Sequence, residues 1–307
     1  MIAGKIMNKN IQNPGELQEQ VKYKNKEFPL VMFCDVFDHF ADHSFYCHWH
    51  DEIELQIVLK GSVKYLLNQT DYVVEEGNGL FIGSRILHSA KQIESGSIAF
   101  NILFPPTILS RLFHNLSFHK YMSPSWNWSH MQYLDQNIPE EYEILRSLWR
   151  IKESILSSAS ELVQAEAILH IWQYLPALLD DTPSASFEPR HQIREERMRN
   201  MISYIHDNYM HHITAASIAA SANISRSECF RCFSLFGETS PVDYLNKYRL
   251  HIAAKKLLDT SESISDISYA CGFSSTSYFS KTFKDNYEHS PLSFRKQGGV
   301  KEQGRDI

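Results

Sequence analysis

The sequence predicts a multidomain α+β protein, with an N-terminal β-barrel and flanking helices followed by a C-terminal all-α domain with two helix-turn-helix motifs. Three observations lead to this fold class. Strand-length apolar runs separated by turn residues fill residues 28–104, apolar residues at helical spacing fill residues 140–179, and one helix-turn-helix pattern occurs twice after residue 210. A chain of 307 residues with 43% hydrophobic and 21% charged residues has the length and composition of two globular domains.

Composition along the chain sets the predicted boundaries. Residues 181–192 are polar and contain two prolines, which is typical of an interdomain linker. The predicted segments are an N-terminal arm (1–27), the barrel (28–104), a helical region (105–180), the linker (181–192), the C-terminal helical domain (193–297) and a tail (298–307). We expect no membrane partner, since no apolar run is long enough to span a bilayer. An odd number of cysteines and no visible signal peptide favour the cytoplasm.

A cluster of histidines marks the barrel segment. His48-Trp-His50 is followed by Glu54, and His88 lies on a later predicted strand. Because side chains alternate along a strand, His48 and His50 are expected to share one face. Three imidazoles and a carboxylate predict a site for a polar effector or a divalent metal. In the alternative interpretation no cofactor is required, and these groups bond one another inside a barrel that holds an organic ligand or nothing. Arg85 would suit an anionic or sugar-like group.

The helical region carries two stretches with apolar residues at helical spacing, over residues 140–157 and 160–179. Two alternatives stay open for them. They form a dimer surface, or they pack against the barrel.

The second helix-turn-helix pattern lies near the C-terminus. Ser263 is placed to cap its first helix, and Gly272 supplies the positive φ that a sharp turn needs. Thr276, Ser277 and Lys281 of the following helix are left facing outward. This is the arrangement of a recognition helix that presents its N-terminal residues to base edges.

A weaker copy precedes it by about fifty residues. Asn223 stands where the second copy has glycine, and asparagine tolerates the left-handed conformation best among the other residues. Ser225 is placed to cap the next helix, on which Ser227, Phe230 and Arg231 point outward.

Two such units predict that the chain binds double-stranded DNA, with one helix in each of two major grooves. Ser240 and Pro241 begin a helix between the units, which would fix their relative positions. The alternative is an ordinary set of packed helices, because one turn alone is a weak signal.

Because the net charge of the chain is −6, its attraction to DNA must come from a local group of basic residues and not from its overall charge. Residues 1–190 hold 15 basic and 23 acidic residues, and residues 191–307 hold 15 and 13, so the second part is mildly basic. The expected phosphate contacts are a stripe of basic residues: Arg231, Lys247, Arg249, Lys281, Lys284, Arg295 and Lys296.

The last hundred residues resemble the DNA-binding domain of the AraC/XylS family of transcription regulators. The matching residues are Gly237, Ser240-Pro241, Tyr244, Arg249-Leu250, Ala254, Leu257-Leu258, Ile267, Gly272-Phe273, Tyr278-Phe279, Phe283-Lys284, Ser290-Pro291 and Arg295. Departures are mild: Asn223, Ser268 and Glu288 replace the usual Gly, Ala and Gly.

The histidine segment resembles the first motif of the cupin family, whose small barrels are common sensing domains in such regulators. His48, His50, Glu54 and Gly61 meet its spacing in full. The second motif is met only in part. The resemblance implies a cupin-like effector-sensing domain, a homodimer joined through the helical region, and RNA polymerase as a further partner.

The favoured function is therefore a sequence-specific DNA-binding transcription regulator that responds to a small-molecule effector, a sugar or another polar metabolite. Under this interpretation the chain is not an enzyme. The effector-binding candidates are His48, His50, Glu54, Arg85 and His88, and the metal candidates are His48, His50, Glu54 and His88. The alternative is a metal-dependent cupin enzyme with a helical DNA-binding appendage.

Overall fold

The computed structural model describes residues 23, 25–67, 69–108, 131–155, 160–180, 189–237 and 240–296. Contacts divide them into two compact units. The first contains the described residues of 23–37 and 48–192, and the second contains those of 38–47 and 193–296. Most of the predicted arm, residues 181–188 of the predicted linker and the tail lie outside the described residues.

The strands occupy the first half of the chain. They are β1 (Val31–Val36), β2 (Ser44–His48), β3 (Ile53–Lys60), β4 (Ser62–Leu67), β5 (Thr70–Glu75), β6 (Gly79–Ile82), β7 (His88–Gln92), β8 (Ile98–Phe104) and β9 (Met131–Leu134). They form a five-stranded sheet in the order β1-β8-β3-β6-β9 and a four-stranded sheet in the order β2-β7-β4-β5. Strand β9 was not predicted, and it falls in the region that the sequence assigned to helices.

Two helices cover one face of the five-stranded sheet. They are α1 (Pro139–Ser154) and α2 (Ser160–Asp180). Leu55 and Ile57 of β3 share a buried cluster with Leu148 of α1 and Ile171 of α2. Alternation along β3 then places Glu54 and Gln56 on the opposite face of this sheet, which we call the inner face. Packing of both helices on the barrel, one of the two alternatives, is confirmed.

The second unit is helical apart from short segments. Its helices are α3 (Pro189–Asn208), α4 (Ala215–Ser221), α5 (Arg226–Leu235), α6 (Pro241–Asp259), α7 (Ile264–Ala270) and α8 (Thr276–Tyr287). Helix α3 begins at Pro189, inside the predicted linker, and its residues from Ile193 onward belong to this unit. No helix in the described ranges is both long and apolar enough to cross a membrane.

Side-chain caps define four helix starts, and the sequence predicted those at Ser225, Ser240 and Ser263. The hydroxyls of Ser225, Ser240, Ser263 and Ser275 each accept a hydrogen bond from the backbone N–H three residues later. Each cap satisfies an N–H group that has no partner inside its own helix.

The two helix-turn-helix turns also follow the prediction. Asn223 has φ 54° and Gly272 has φ 80°, so both turns use the left-handed conformation. Helical spacing groups Val242 and Tyr278 with the apolar residues of their helices and so predicts packed positions, but the structure leaves them 42% and 48% exposed. The prediction was wrong for Tyr278 because its hydroxyl reaches Asn246 at the surface, accepting a hydrogen bond from the amide nitrogen at 3.4 Å.

The five cysteines are buried free thiols. Burial raises the pKa of Cys229 to about 11 and also raises the pKa of Cys232. A buried thiol with a raised pKa is unreactive, so the role of this pair is structural.

Candidate functional site

Three imidazoles meet at one end of the four-stranded sheet. His48 ends β2, His50 lies in the connection to β3, and His88 begins β7. One nitrogen from each ring lies within 4.8 Å of the others. The centroids of the His48 and His88 rings are 4.1 Å apart. The sequence prediction that these side chains converge therefore agrees with the structure, although His50 lies outside the strand.

The hydrogen bonds of this histidine cluster fix which nitrogen faces inward. His50 Nδ1 lies 3.1 Å from the carbonyl oxygen of Glu52, and His88 Nδ1 lies 2.8 Å from that of Ile86. A carbonyl oxygen only accepts, so each Nδ1 carries the proton and donates it. In the neutral ring, Nε2 is then left with a lone pair.

Both Nε2 atoms point at the same carboxylate oxygen. Glu54 Oε2 lies 3.0 Å from His50 Nε2 and 3.4 Å from His88 Nε2, and all three side chains are buried. Two lone pairs and an anion repel one another unless a proton or a cation lies between them. A backbone acceptor on the far nitrogen of the imidazole is also the usual arrangement of metal-binding histidines. The donor set therefore fits a divalent cation.

Arg85 is not brought to the histidine cluster. Its side chain is 66% exposed and its Nε donates to Asp51 at 2.6 Å. Only its backbone N–H approaches, donating to the carbonyl of His50 at 2.8 Å. The guanidinium is thus occupied by a surface ion pair and is directed away from the inner face.

A second polar group lies on the inner face, and the sequence prediction missed it. Asn101 of β8 is fully buried and donates from Nδ2 to Asp35 Oδ2 at 2.7 Å. Gln56 of β3 is the register partner of Asn101 and is 2% exposed. Gln56 and Asn101 are therefore neighbours on one face of the sheet.

Tyr65 contributes from the other sheet. It is 3% exposed and alternates along β4 with the exposed Lys64. Burial, and then the charges of Asp35 and Glu54, raise the pKa of Tyr65 well above its usual value. Its hydroxyl is therefore within electrostatic reach of both carboxylates. We call Asp35, Gln56, Tyr65 and Asn101 the inner polar set.

The signal for this set was present but weak. Gln56 and Asn101 each interrupt an apolar run, Leu55–Leu59 and Ile98–Phe104, at a position that alternation makes inward-facing. A polar residue at such a position is informative because burying it without a partner costs free energy. Only the strand register brings the two positions together.

The predicted DNA-contacting residues lie on α5 and α8. Ser227 and Arg231 are exposed near the start of α5, and Phe230 is half-buried. Glu228 accepts two hydrogen bonds from Arg231, at 2.8 Å each, which lowers the pKa of the Glu228 carboxyl. Arg231 is therefore oriented along the helix surface by its neighbour.

Helix α8 has a similar exposed N-terminal half. Ser277 and Lys281 are exposed and Thr276 is half-buried. The exposed Tyr278, which follows Ser277 on the helix, adds a polar aromatic side chain to this surface.

Arg226 is a further exposed cation that the sequence prediction did not select. It is the first residue of α5, and its guanidinium carbon lies 5.7 Å from the centre of the Phe230 ring. The signal was its position directly after the Ser225 cap, where recognition helices present side chains.

Two arginines of the predicted basic stripe are structural instead. Arg249 is 9% exposed and donates to the carbonyls of Tyr209 and His211, each at 2.8 Å. Arg295 donates to the carbonyls of Leu257 and Glu262, at 3.1 and 2.7 Å. The structure contradicts both as free phosphate contacts, because both guanidinium groups serve backbone carbonyls, Arg249 in a buried position and Arg295 in a half-buried one.

The fold and these sites define a two-part regulator: a barrel with a buried polar interior, and a helical unit that exposes two capped helices of the helix-turn-helix kind. A model of the AraC-like ligand-binding domain matches residues 30–175, and a model of a helix-turn-helix domain matches residues 218–297. The chain belongs to the AraC-type family of transcription regulators.

Three relatives agree with this class. The chain is 28% identical to the HTH-type transcriptional regulator YdeC of Bacillus subtilis (strain 168), over 94% of this chain and 99% of YdeC. It is 24% identical to the HTH-type transcriptional activator RhaS of Pectobacterium carotovorum (strain PC1), over 83% and 89% of the two chains. The lactose operon transcription activator of Staphylococcus xylosus is 30% identical, over 53% and 57%. These are regulators and not enzymes, so the alternative of a cupin enzyme is set aside.

Proposed function

We propose that the chain binds operator DNA through the N-terminal residues of α5 and α8, and that a small molecule inside the barrel controls this binding. One observation carries the proposal. Two serine-capped helices in one compact unit expose Arg231 and Lys281, on a chain whose other unit holds buried polar groups. The contacting residues on α5 are Ser227, Phe230 and Arg231, and those on α8 are Thr276, Ser277 and Lys281.

Control by the effector has a thermodynamic condition. The small molecule must bind more tightly to one arrangement of the chain than to the other, since equal affinity shifts no equilibrium. Polar groups on the inner face produce such a difference in affinity if they contact the small molecule in only one of the two arrangements.

The relatives suggest further partners. RhaS and the lactose operon protein are named activators, and we propose that this chain also raises transcription, in the cytoplasm and with RNA polymerase as a partner. We further propose a homodimer joined through α1 and α2, on whose outer surfaces Trp149 and Leu162 are 37% and 75% exposed.

Removing either recognition cation is expected to weaken operator binding. Arg231→Ala should lower affinity roughly tenfold and relax the preference at one base pair, because a guanidinium contacts guanine through two hydrogen bonds. Lys281→Ala should lower affinity for all sequences alike and reduce the salt slope by about 1, because an ammonium contacts phosphate as a point charge. The measurement is a gel-shift titration on fragments found by genome-wide footprinting of the tagged protein.

A matched control distinguishes the loss of a DNA contact from the mere loss of one positive charge. Lys64→Ala removes the same charge from an exposed side chain of the first unit, 49% accessible and paired with Asp71, and should leave affinity unchanged. Unchanged affinity in both the Arg231 and Lys281 variants would refute the assignment of α5 and α8.

We also propose that the histidine cluster holds a divalent cation, with His48, His50 and His88 as imidazole ligands and Glu54 beside two of them. A bound cation would offset the charge of Glu54 and supply a Lewis-acidic position on the inner face. The convergence of two Nε2 atoms on one carboxylate oxygen supports this proposal.

Cobalt(II) provides a direct test of the cation site. Full-length protein treated with EDTA and then titrated with Co²⁺ should develop a visible absorption band that saturates at about one ion per chain. His50→Ala should weaken binding at least roughly tenfold, whereas His170→Ala, on α2 and hydrogen-bonded to Ser147, should bind as wild type does. Absence of the band in wild-type protein would exclude the cation.

A further inference from the structure

The inner polar set contains hydrogen-bonding atoms that the described part of the chain leaves without partners. They are Gln56 Nε2, Tyr65 OH and Asn101 Oδ1, on side chains that are 2%, 3% and 0% exposed. Burying a polar atom without a partner is unfavourable because the atom loses its hydrogen bonds to water, so folded proteins contain few of them. Three on the interior of one barrel, contributed by both sheets, indicate a surface built to bind something else.

The chemistry of these atoms narrows the class of ligand. Gln56 Nε2 only donates, Asn101 Oδ1 only accepts, and the Tyr65 hydroxyl does both. A hydroxyl group also donates and accepts, so several hydroxyls on one small molecule can satisfy all three atoms. An ammonium group would offer only donors and leave Gln56 unsatisfied.

Charge narrows the class further. Asp35 and Glu54 are 3% and 4% exposed on the inner face, and no Lys or Arg is buried among the described residues of the first unit. A ligand carboxylate would lose its hydration and meet two like charges without a compensating cation. Acidic ligands are therefore disfavoured.

We propose that this interior binds a neutral polyhydroxylated molecule, a sugar or polyol, through Gln56, Tyr65 and Asn101, and that it rejects the corresponding sugar acid. The inference deepens the proposed function, since it names the class of effector for the same barrel. It also adds three contact residues to the histidine cluster. Binding is measured on the protein alone, so it does not depend on the operator contacts.

Calorimetric titration of the full-length protein tests the class of ligand. The probes are neutral aldopentoses, aldohexoses, 6-deoxyhexoses and hexitols, each paired with its uronic or aldonic acid, in buffer with EDTA so that no cation offsets the carboxylates. At least one neutral compound should bind, and its acid should bind at least roughly tenfold more weakly. Absence of binding by every neutral probe, or equal binding by the paired acid, would overturn the proposal.

Two near-isosteric variants distinguish ligand contacts from structural hydrogen bonds. Tyr65→Phe and Gln56→Met should each weaken binding of the active sugar roughly tenfold. Without ligand they should melt at a higher temperature than wild type, because each removes a buried atom that lacks a partner. All five tryptophans precede residue 190, so tryptophan fluorescence follows melting of the first unit.

The control removes an equivalent hydroxyl outside the barrel. Tyr142→Phe, on α1 where the tyrosine is 47% exposed, should change neither binding nor melting. If Tyr65→Phe and Gln56→Met melt below wild type and bind the sugar normally, their polar atoms are structural and the proposal fails. Gel-shift affinity is a separate readout, so loss of operator binding would count against the proposed function and not against this inference.

Discussion

Replacing Gly272 with asparagine is expected to destabilise the second unit by about 3 kcal/mol or more. Asparagine tolerates positive φ, so conformation alone would cost little. The larger cost comes from space. A Cβ at this position would overlap the carbonyl oxygen of Tyr209 and lie 3.0 Å from two guanidinium nitrogens of Arg249. Because that carbonyl also accepts a hydrogen bond from Arg249, moving it would weaken a second interaction.

Two probes of urea unfolding measure this effect. Far-UV circular dichroism reports helices of both units, whereas tryptophan fluorescence reports the first unit, which holds the described tryptophans Trp49, Trp149 and Trp172. The Gly272→Asn variant should lose helical signal at lower urea while its fluorescence transition stays in place. Asn223→Gly, the reverse change in the first helix-turn-helix turn, should alter stability by less than about 1 kcal/mol. Equal, small effects at both positions would show that the two turns are sterically equivalent and that the Tyr209 contact is unimportant.

These two turns illustrate what could be predicted from the sequence. A cap followed by a helix, and then by Gly or Asn, is a local signal, since the residues that satisfy the helix ends lie within a few positions of them. For the same reason Ser225 and Ser263 were assigned correctly as caps. The exposed faces of α5 and α8 could also be predicted, because apolar residues at helical spacing identify the opposite, packed face.

The inner polar set could not be predicted in this way. Gln56 and Asn101 become neighbours only through the pairing of β3 with β8, and Tyr65 approaches from the other sheet. The histidine cluster was found because His48 and His50 lie close to Glu54 in sequence, and only His88 is distant. Arg85 was misassigned because its identity suits a polar ligand, whereas its direction depends on Asp51.

Basic residues of the helical unit show a similar limit. A guanidinium carries the same charge whether it faces DNA or the backbone, so the sequence alone could not separate Arg249 and Arg295 from Arg231. What decides the role is whether unpaired carbonyls lie within reach. Helix C-terminal segments provide such carbonyls, as Leu257 does for Arg295.

Arg249→Met is expected to destabilise the second unit by about 3 kcal/mol, and any loss of operator binding should follow from unfolding. The guanidinium joins α6 to the segment after α3 by donating to Tyr209 and His211. Its carbon lies 5.9 Å from the centre of the Phe273 ring, in the turn between α7 and α8. Methionine keeps the length of the apolar stem but leaves two carbonyls without their donors, and each such loss costs about 1–3 kcal/mol.

The comparison with Lys247→Met distinguishes a structural cation from a phosphate contact. Lys247 lies two residues earlier on the same helix and is half-buried, so this change removes the same charge without removing the Tyr209 and His211 bonds. We expect Arg249→Met to lower the urea midpoint followed by circular dichroism, and to bind operator with an unchanged salt slope at low temperature, where it is folded. If Arg249 instead contacted a phosphate, the variant would have normal stability and a salt slope of operator binding reduced by about 1. The carbonyls that accept from Arg249 belong to the protein itself. Non-operator DNA should therefore leave the stability difference between Arg249→Met and wild type unchanged.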